Sequence, residues 1–288
     1  MKISQLRNAT VLVEIGPHRL LVDPMLAKQG ALPSLKWFTP RRRRNPLVDL
    51  PPQAPGLLDT ATRALITHCR KGHFDHLDRA GIRWLRERQL PVLCMPEDAE
   101  HLRRRGLAVE ALAAEGTSTV DGLRISPVPC LHGEGWMLGR LMAHGHGYLI
   151  EHPGEPSLYI AGDTVLTDDV RRCVTDRRPA VSIVPAGGAA FDLGGELIMD
   201  GAQALALALA GDGVFIANHL EALDHCPTRR DSLRAQAATR GLGARFLVPE
   251  DGDTMCFDAG RTDTSPAGEH CGARRPPATP ALDTIGLP

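Results

Sequence analysis

Lysine is nearly missing from this 288-residue chain: four of its 33 basic residues are Lys, and the rest are Arg. The imbalance reads as coding bias rather than function. Aromatic residues make up only 4%, and no pattern of interleaved bases and aromatics marks a nucleic-acid surface. Neither sign of charge dominates, with 34 acids against 33 bases and a net charge of −1. That balance argues against a protein built to coat a polyanion. No apolar run approaches the ~18 residues of a membrane span; the best, 204–210, suits a short buried helix face. The start, Met1 to Asn8, lacks the uninterrupted apolar core of a signal peptide. Seven cysteines at 69, 94, 130, 173, 226, 256 and 271 form no CxxC pair. An odd, scattered set in a chain of this size implies reduced thiols and a cytoplasmic location. Also absent are a Gly-Lys phosphate loop, a GxGxxG turn and a GxSxG nucleophile elbow.

What is present is a large apolar fraction, 43%, enough for one substantial core. Residues 10–15 and 19–22 are β-branched or Leu-rich runs around Gly16-Pro17, which predicts a hairpin ending at Asp23-Pro24. Residues 25–60 carry Pro at 33, 40, 46, 51, 52 and 55 and read as one long loop. Strands are expected at 64–67, 92–95, 123–127, 148–151, 158–161, 181–185, 214–217 and 245–248. Helices are expected near 78–89, 97–105, 168–174, 201–210 (with Asp200 as N-cap) and 228–239. Strands and helices mix without a strict βαβ beat, which points to two sheets or a mixed sheet covered by helices. Residues 1–259 read as one domain. From 260 to 288 large apolar residues almost vanish, the composition of a disordered tail.

Histidine recurs where predicted strands end. The main cluster is Thr67-His68-Cys-Arg-Lys-Gly-His73-Phe-Asp75-His76-Leu-Asp78, between a strand and a helix start. Imidazoles and carboxylates gathered on one loop suit Zn²⁺, or Mn²⁺ or Fe; a solvated His-rich turn is the other reading. Three further strand ends carry the same residue types: His132 after Val128-Pro-Cys-Leu, Asp163 in Tyr159-Ile-Ala-Gly-Asp-Thr, and His219 in Phe215-Ile-Ala-Asn-His. Each alone is weak, because a single strand-end His is commonly structural; together they form a ligand-like set.

In order and spacing these residues resemble the metallo-β-lactamase superfamily over about residues 5–257. The resemblance rests on HFDH at 73–76, His132, AGDT at 161–164 and Asn218-His219. The finer pattern is similar to the ascorbate-6-phosphate lactonase-like branch, through Asn8-Ala-Thr10, Leu21-Val-Asp23-Pro24, Gly194 to Asp200 and Val248 to Gly252. The resemblance implies an α/β, four-layer αββα sandwich with a metal cleft between its sheets. It implies two divalent ions, of which zinc is the first expectation. His68, His73 and His132 would hold one ion, Asp75, His76 and His219 the other, with Asp163 bridging. Such a centre acidifies a shared water, with Asp75 orienting it and His225 as the acid. The implied substrate is a small molecule, a lactone or other ester of an anionic metabolite. A phosphodiester is the alternative, and a non-catalytic metal-binding module with a degenerate site is the reading of another class. Neither a nucleic acid nor a membrane is an expected partner, and no oligomeric state is implied.

The family motif reads HxHxDH, whereas three extra residues separate His68 from His73 here. Either Arg70-Lys71-Gly72 bulges outward and His68 still binds, or Lys71 takes a ligand's place. Glycine at 72 makes the bulge feasible. Several residues keep two readings. Asp23 either orients a ligand imidazole or is a plain turn residue before Pro24. His225 either contacts substrate or is structural. Cys69 and Cys226 neighbour ligands but read as buried small residues, and His144-Gly-His146 reads as a surface turn. Lys36 and Arg41–Arg44 place five positive charges in nine residues. Together with Lys71, Arg41 and Arg42 are the candidates for drawing in an anionic substrate; a solvated basic loop is the other reading.

Overall fold

In the computed structural model, residues 1–39, 42–70, 72–133, 145–193 and 195–258 are described. Arg41, Lys71, His144 and the 260–288 segment, all singled out above, lie outside them. Among the described residues no helix is long and apolar enough to cross a membrane.

Two seven-stranded sheets form the centre. The first contains β1 (Lys2–Arg7), β2 (Thr10–Ile15), β3 (His18–Val22), β4 (Arg63–Leu65), β5 (Pro91–Cys94), β6 (Ala108–Ala111) and the C-terminal β14 (Thr254–Cys256). Its order is β14-β1-β2-β3-β4-β5-β6, antiparallel from β14 to β3 and parallel from β3 to β6. The second contains β7 (Ser118–Val120), β8 (Leu123–Pro129), β9 (His146–Glu151), β10 (Leu158–Ile160), β11 (Val181–Pro185), β12 (Val214–Asn218) and β13 (Phe246–Leu247). Its order runs from β13 to β7, again half antiparallel and half parallel.

Period-two side-chain alternation builds the layers. Val11, Val13 and Ile15 of β2 and Leu20 and Val22 of β3 face inward. There they meet Tyr148 and Ile150 of β9, Leu158 and Ile160 of β10, and Ile183 of β11 in one core between the sheets. The intervening residues face outward under helices. Leu12 and Leu21 pack beneath α1 (Ala54–Leu58), and Ala64 and Val92 beneath α2 (Arg79–Arg88) and α3 (Pro96–Arg103). On the second sheet Leu149, Tyr159 and Val184 are covered by α4 (Asp168–Asp176), α5 (Gly201–Ala210) and α6 (Arg230–Thr239). The result is the αββα order expected from the sequence.

Most predicted elements appear within a few residues of their expected bounds, and Asp200 caps α5 by accepting from Gln203 N–H at 2.8 Å. Five short elements were not read from the sequence: β1, α1, β6, β7 and β14. The 25–60 segment is not wholly irregular, since α1 lies inside it. Its earlier part is pinned by Arg7, a fully buried guanidinium that donates to Met25 O (2.7 Å), Ala27 O (2.9 Å) and Val48 O (3.1 Å).

Candidate metal centre

Strands β3, β4, β8, β10 and β12 deliver their carboxyl ends to one edge of the sandwich, where the chain turns into loops. Asp23 follows β3, the His68–Asp78 loop joins β4 to α2, His132 follows β8, Asp163 follows β10 and His219 follows β12. Residues remote in sequence thereby converge. His68, His73 and His132 form one group whose ligand atoms lie within 4.8 Å of one another, and Asp75, His76, Asp163 and His219 form a second. All seven side chains are buried. Asp163 links the groups: its Oδ2 is 3.0 Å from His76 Nε2, 3.4 Å from His219 Nε2 and 3.8 Å from His132 Nε2. Asp75 Oδ2 lies 3.5 Å from His219 Nε2.

In four of the five imidazoles Nδ1 has a partner. His76 Nδ1 donates to Asp23 Oδ2 at 2.8 Å, and His132 Nδ1 to Leu197 O at 2.9 Å. His68 Nδ1 donates to Thr67 Oγ1 at 3.0 Å, while that hydroxyl donates to Asp23 Oδ2 at 2.6 Å. His219 Nδ1 lies 3.4 Å from Cys226 Sγ. Pinning Nδ1 in this way fixes the tautomer and aims Nε2 inward. Yet Nε2 of His68, His73, His76 and His219 is buried without a hydrogen-bond partner. Buried polar atoms are rarely left so, and four convergent imidazole nitrogens beside two carboxylates are the donor set of divalent transition metals. The residues fit the expected ions.

Protonation follows the same division. Burial pushes the His68, His73 and His132 imidazoles down, His73 to about 4, and neighbouring histidines add to this. For His76 burial acts downward too, but Asp163, Asp23 and Asp75 outweigh it and lift the group to about 10; Asp163 does the same for His219. Burial would raise Asp75 and Asp163, and the facing imidazoles hold both below the ordinary carboxylate range instead.

The backbone is shaped for this convergence. His219 adopts φ 56° and Asp23 φ 44°, in the left-handed region that few side chains occupy without cost. His219 N–H donates to Asn8 O at 3.2 Å, and Asn8 Nδ2 donates to Asp75 O at 3.2 Å. Asn8 therefore ties both metal loops together. Gly187 is required beside them, because a Cβ there would stand 2.0 Å from His219 O.

Around the insertion after His68, His73 N–H donates to Arg70 O at 3.2 Å and Gly72 adopts φ 91°. His68 stays with the group, its ring centroid 4.4 Å from that of His73 and 5.3 Å from that of His132. His225 lies at the edge, 6.3 Å from the His219 ring and stacked on Phe191 at 6.2 Å. His146 begins β9 and joins neither group. Cys69 packs in the core under α2 and joins neither group. The basic loop is largely committed elsewhere. Lys36 Nζ donates to Ala190 O at 2.7 Å, and Arg44 binds Gly30 O and Ala31 O. Arg42 lies over the Trp37 ring at 5.1 Å. A cavity of about 580 Å³ adjoins the site, lined among others by Lys36, Arg43, Asp192, Glu221, Cys226 and Arg229. Asn8 and Thr10 stand in the sequence as part of the Asn8-Ala-Thr10 pattern and Thr67 as the start of the ligand run; their positioning roles come only from the fold.

The β-lactamase superfamily domain model matches residues 18–220. The chain belongs to this superfamily, with the metallo-β-lactamase fold, and within it to the UPF0173 family of metal-dependent hydrolases. It is 31% identical over 260 residues to the UPF0173 protein YddR of Bacillus subtilis, covering 89% of this chain and all of that one. A UPF0173 metal-dependent hydrolase of Azorhizobium caulinodans is 27% identical over 264 residues, 88% of this chain and 99% of its own. Among solved structures, an isothiocyanate hydrolase from Delia radicum gut bacteria superposes with a TM-score of 0.81 at 31% identity, covering 90% of this chain and 100% of that one.

Proposed function

We propose that the protein is a two-metal hydrolase acting at an electrophilic carbon of a small molecule, a lactone or other ester, or an isothiocyanate. The observation that carries the reading is the set of four buried, unpartnered imidazole Nε2 atoms converging with Asp75 and Asp163. The isothiocyanate hydrolase likeness extends over nearly the whole chain. The Asn8-Ala-Thr10 and Gly194 to Asp200 patterns are the support for a lactonase-like branch. His68, His73 and His132 would hold one ion, Asp75, His76 and His219 the second, with Asp163 between them; zinc suits this donor set. When bound, such ions supply Lewis acidity and lower the pKa of water.

The chain's own residues do the rest. Asp75, kept ionised by the imidazoles around it, accepts a hydrogen bond from the attacking water and orients it. His225 gives a proton to the departing atom. Burial opposes its protonated form, but Cys226 and Asp75 outweigh burial and raise its pKa, which suits an acid near neutrality. Asp23 holds His76, and the Leu197 carbonyl holds His132, so neither ring turns during turnover. In the basic loop Lys36 and Arg44 donate to backbone carbonyls yet keep their charge, so the loop is compatible with the anionic substrate expected from the sequence as well as with a neutral one.

The test is metal analysis of the purified protein together with a screen of lactones, esters, isothiocyanates and phosphodiesters. Two equivalents of metal and hydrolysis confined to carbon electrophiles are expected. Cleavage of phosphodiesters alone would replace this reading with the phosphodiesterase one. A protein with metal but no turnover of any of them would be a binding module.

A further inference from the structure

Cys226 reads from the sequence as a small core residue, yet its sulfur occupies a particular place. Sγ is 3.4 Å from His219 Nδ1 and 3.9 Å from His225 Nδ1. It is therefore the one atom, among the described residues, found hydrogen-bonding to both rings. The Nε2 atom of His219 is buried and unpartnered, directed at Asp75 and Asp163. A neutral imidazole has one hydrogen for two nitrogens. If it sat on Nε2, no lone pair would remain there for a metal, and Nδ1 could only accept from the weak Cys226 S–H donor.

We propose that Cys226 is a positioning residue of the metal centre, holding His219 in the tautomer that ligates. The inference rests on the reading of His219 as a ligand. His219 Nδ1–H donates to the sulfur, which leaves Nε2 free. The remaining hydrogen lies between the sulfur and His225 Nδ1, and whichever of these atoms holds it, His225 Nε2 keeps a hydrogen of its own. One thiol thus sets the orientation of a ligand and of the proposed acid together. Carboxylates and backbone carbonyls do this for His76 and His132. In His219 no such oxygen is found at Nδ1 among the described residues, and its backbone lies in the left-handed region at φ 56°.

The experiment measures Zn²⁺ affinity of the full-length protein by chelator competition, in wild type, Cys226→Ser and Cys226→Val. Val fills the sulfur's space without a hydrogen bond, so it separates packing from tautomer control. Loss of a group that orients a metal-bound His typically costs ~10–100-fold in affinity. Val is expected to weaken one of the two Zn²⁺ equivalents by that factor and to spare the other. Ser is expected to bind that equivalent more tightly than Val. A Val protein that holds both equivalents as tightly as wild type overturns the proposal, as does a Ser protein no tighter than Val. If wild type itself binds no Zn²⁺, the metal-dependent reading of the site falls first and this inference with it.

Discussion

At the scale of single residues, the two groups differ in what a metal must displace. The three-histidine group is kept free of protons by burial, with His73 down at about 4. In the other group Asp163, Asp23 and Asp75 lift His76 to about 10, and Asp163 raises His219, so His76 carries a proton at neutral pH until an ion replaces it. Binding at the second group should therefore release protons, and binding at the first should release almost none between pH 6 and 8. Each displaced proton changes affinity by about tenfold per pH unit. Lowering the pH from 8 to 6 should strip the second equivalent while the first remains. Calorimetry in buffers of different ionisation enthalpy checks this, and equal pH dependence for both equivalents would contradict it. His132→Ala and His219→Ala provide the companion test. They lie 87 positions apart (219 − 132), yet each should lower bound metal and hydrolysis more severely than the ~10–100-fold expected of a change at Asp23, which touches only the ligand His76. Full metal content in both would contradict the shared site.

At the scale of elements, what was legible in the sequence follows from what each element must satisfy alone. Strands such as β2 and β9 declare themselves as continuous apolar runs because both of their faces are buried. Helix α5 was read with its N-cap because Asp200 and a run of Ala and Leu are local signals. β6, β7 and β14 were missed because each is only three or four residues long, and their place in a sheet is set by partners far away; β14 pairs with β1 across the whole chain. The ligand residues stood out because His and Asp at strand ends are conspicuous. Of the residues that orient them, Asp23 offers that role from its place at a strand end, whereas Asn8, Thr67 and Cys226 are visible in the sequence without the role that only folding assigns. Gly187 belongs with these. Its Cβ-free backbone passes the His219 carbonyl at a distance no side chain tolerates. Gly187→Ala should push the loop after β12 outward, and the expected outcome is loss of at least one metal equivalent with a clear drop in thermal stability. An alanine protein with normal metal content would show that the loop gives way at no cost to the site.

At the scale of the whole molecule, the two sheets are joined in two ways, by the apolar core and by the candidate metal centre. The first sheet supplies the His68–His76 loop, and the second supplies His132, Asp163 and His219. Tyr148 connects the two modes: it lies in the core between the sheets and donates its hydroxyl to Ile66 O at 2.9 Å, two residues before His68. Tyr148→Phe leaves that buried carbonyl unpaired, a loss of about 1–3 kcal/mol, and should lower the melting temperature even of metal-free protein. Metal acts on the same junction by mass action. Free ion at 100 times its dissociation constant adds about 2.7 kcal/mol to stability, which in a chain of this length is a rise of roughly 5–10 °C. Because each proposed ion would draw ligands from both sheets, the rise should depend equally on either one. His73→Ala, on the first sheet's loop, and His132→Ala, after β8 of the second, should therefore remove similar shares of the metal-induced rise in melting temperature. If one variant kept the full rise, the ion would be held by a single sheet, and the centre would not clamp the sandwich at its cleft.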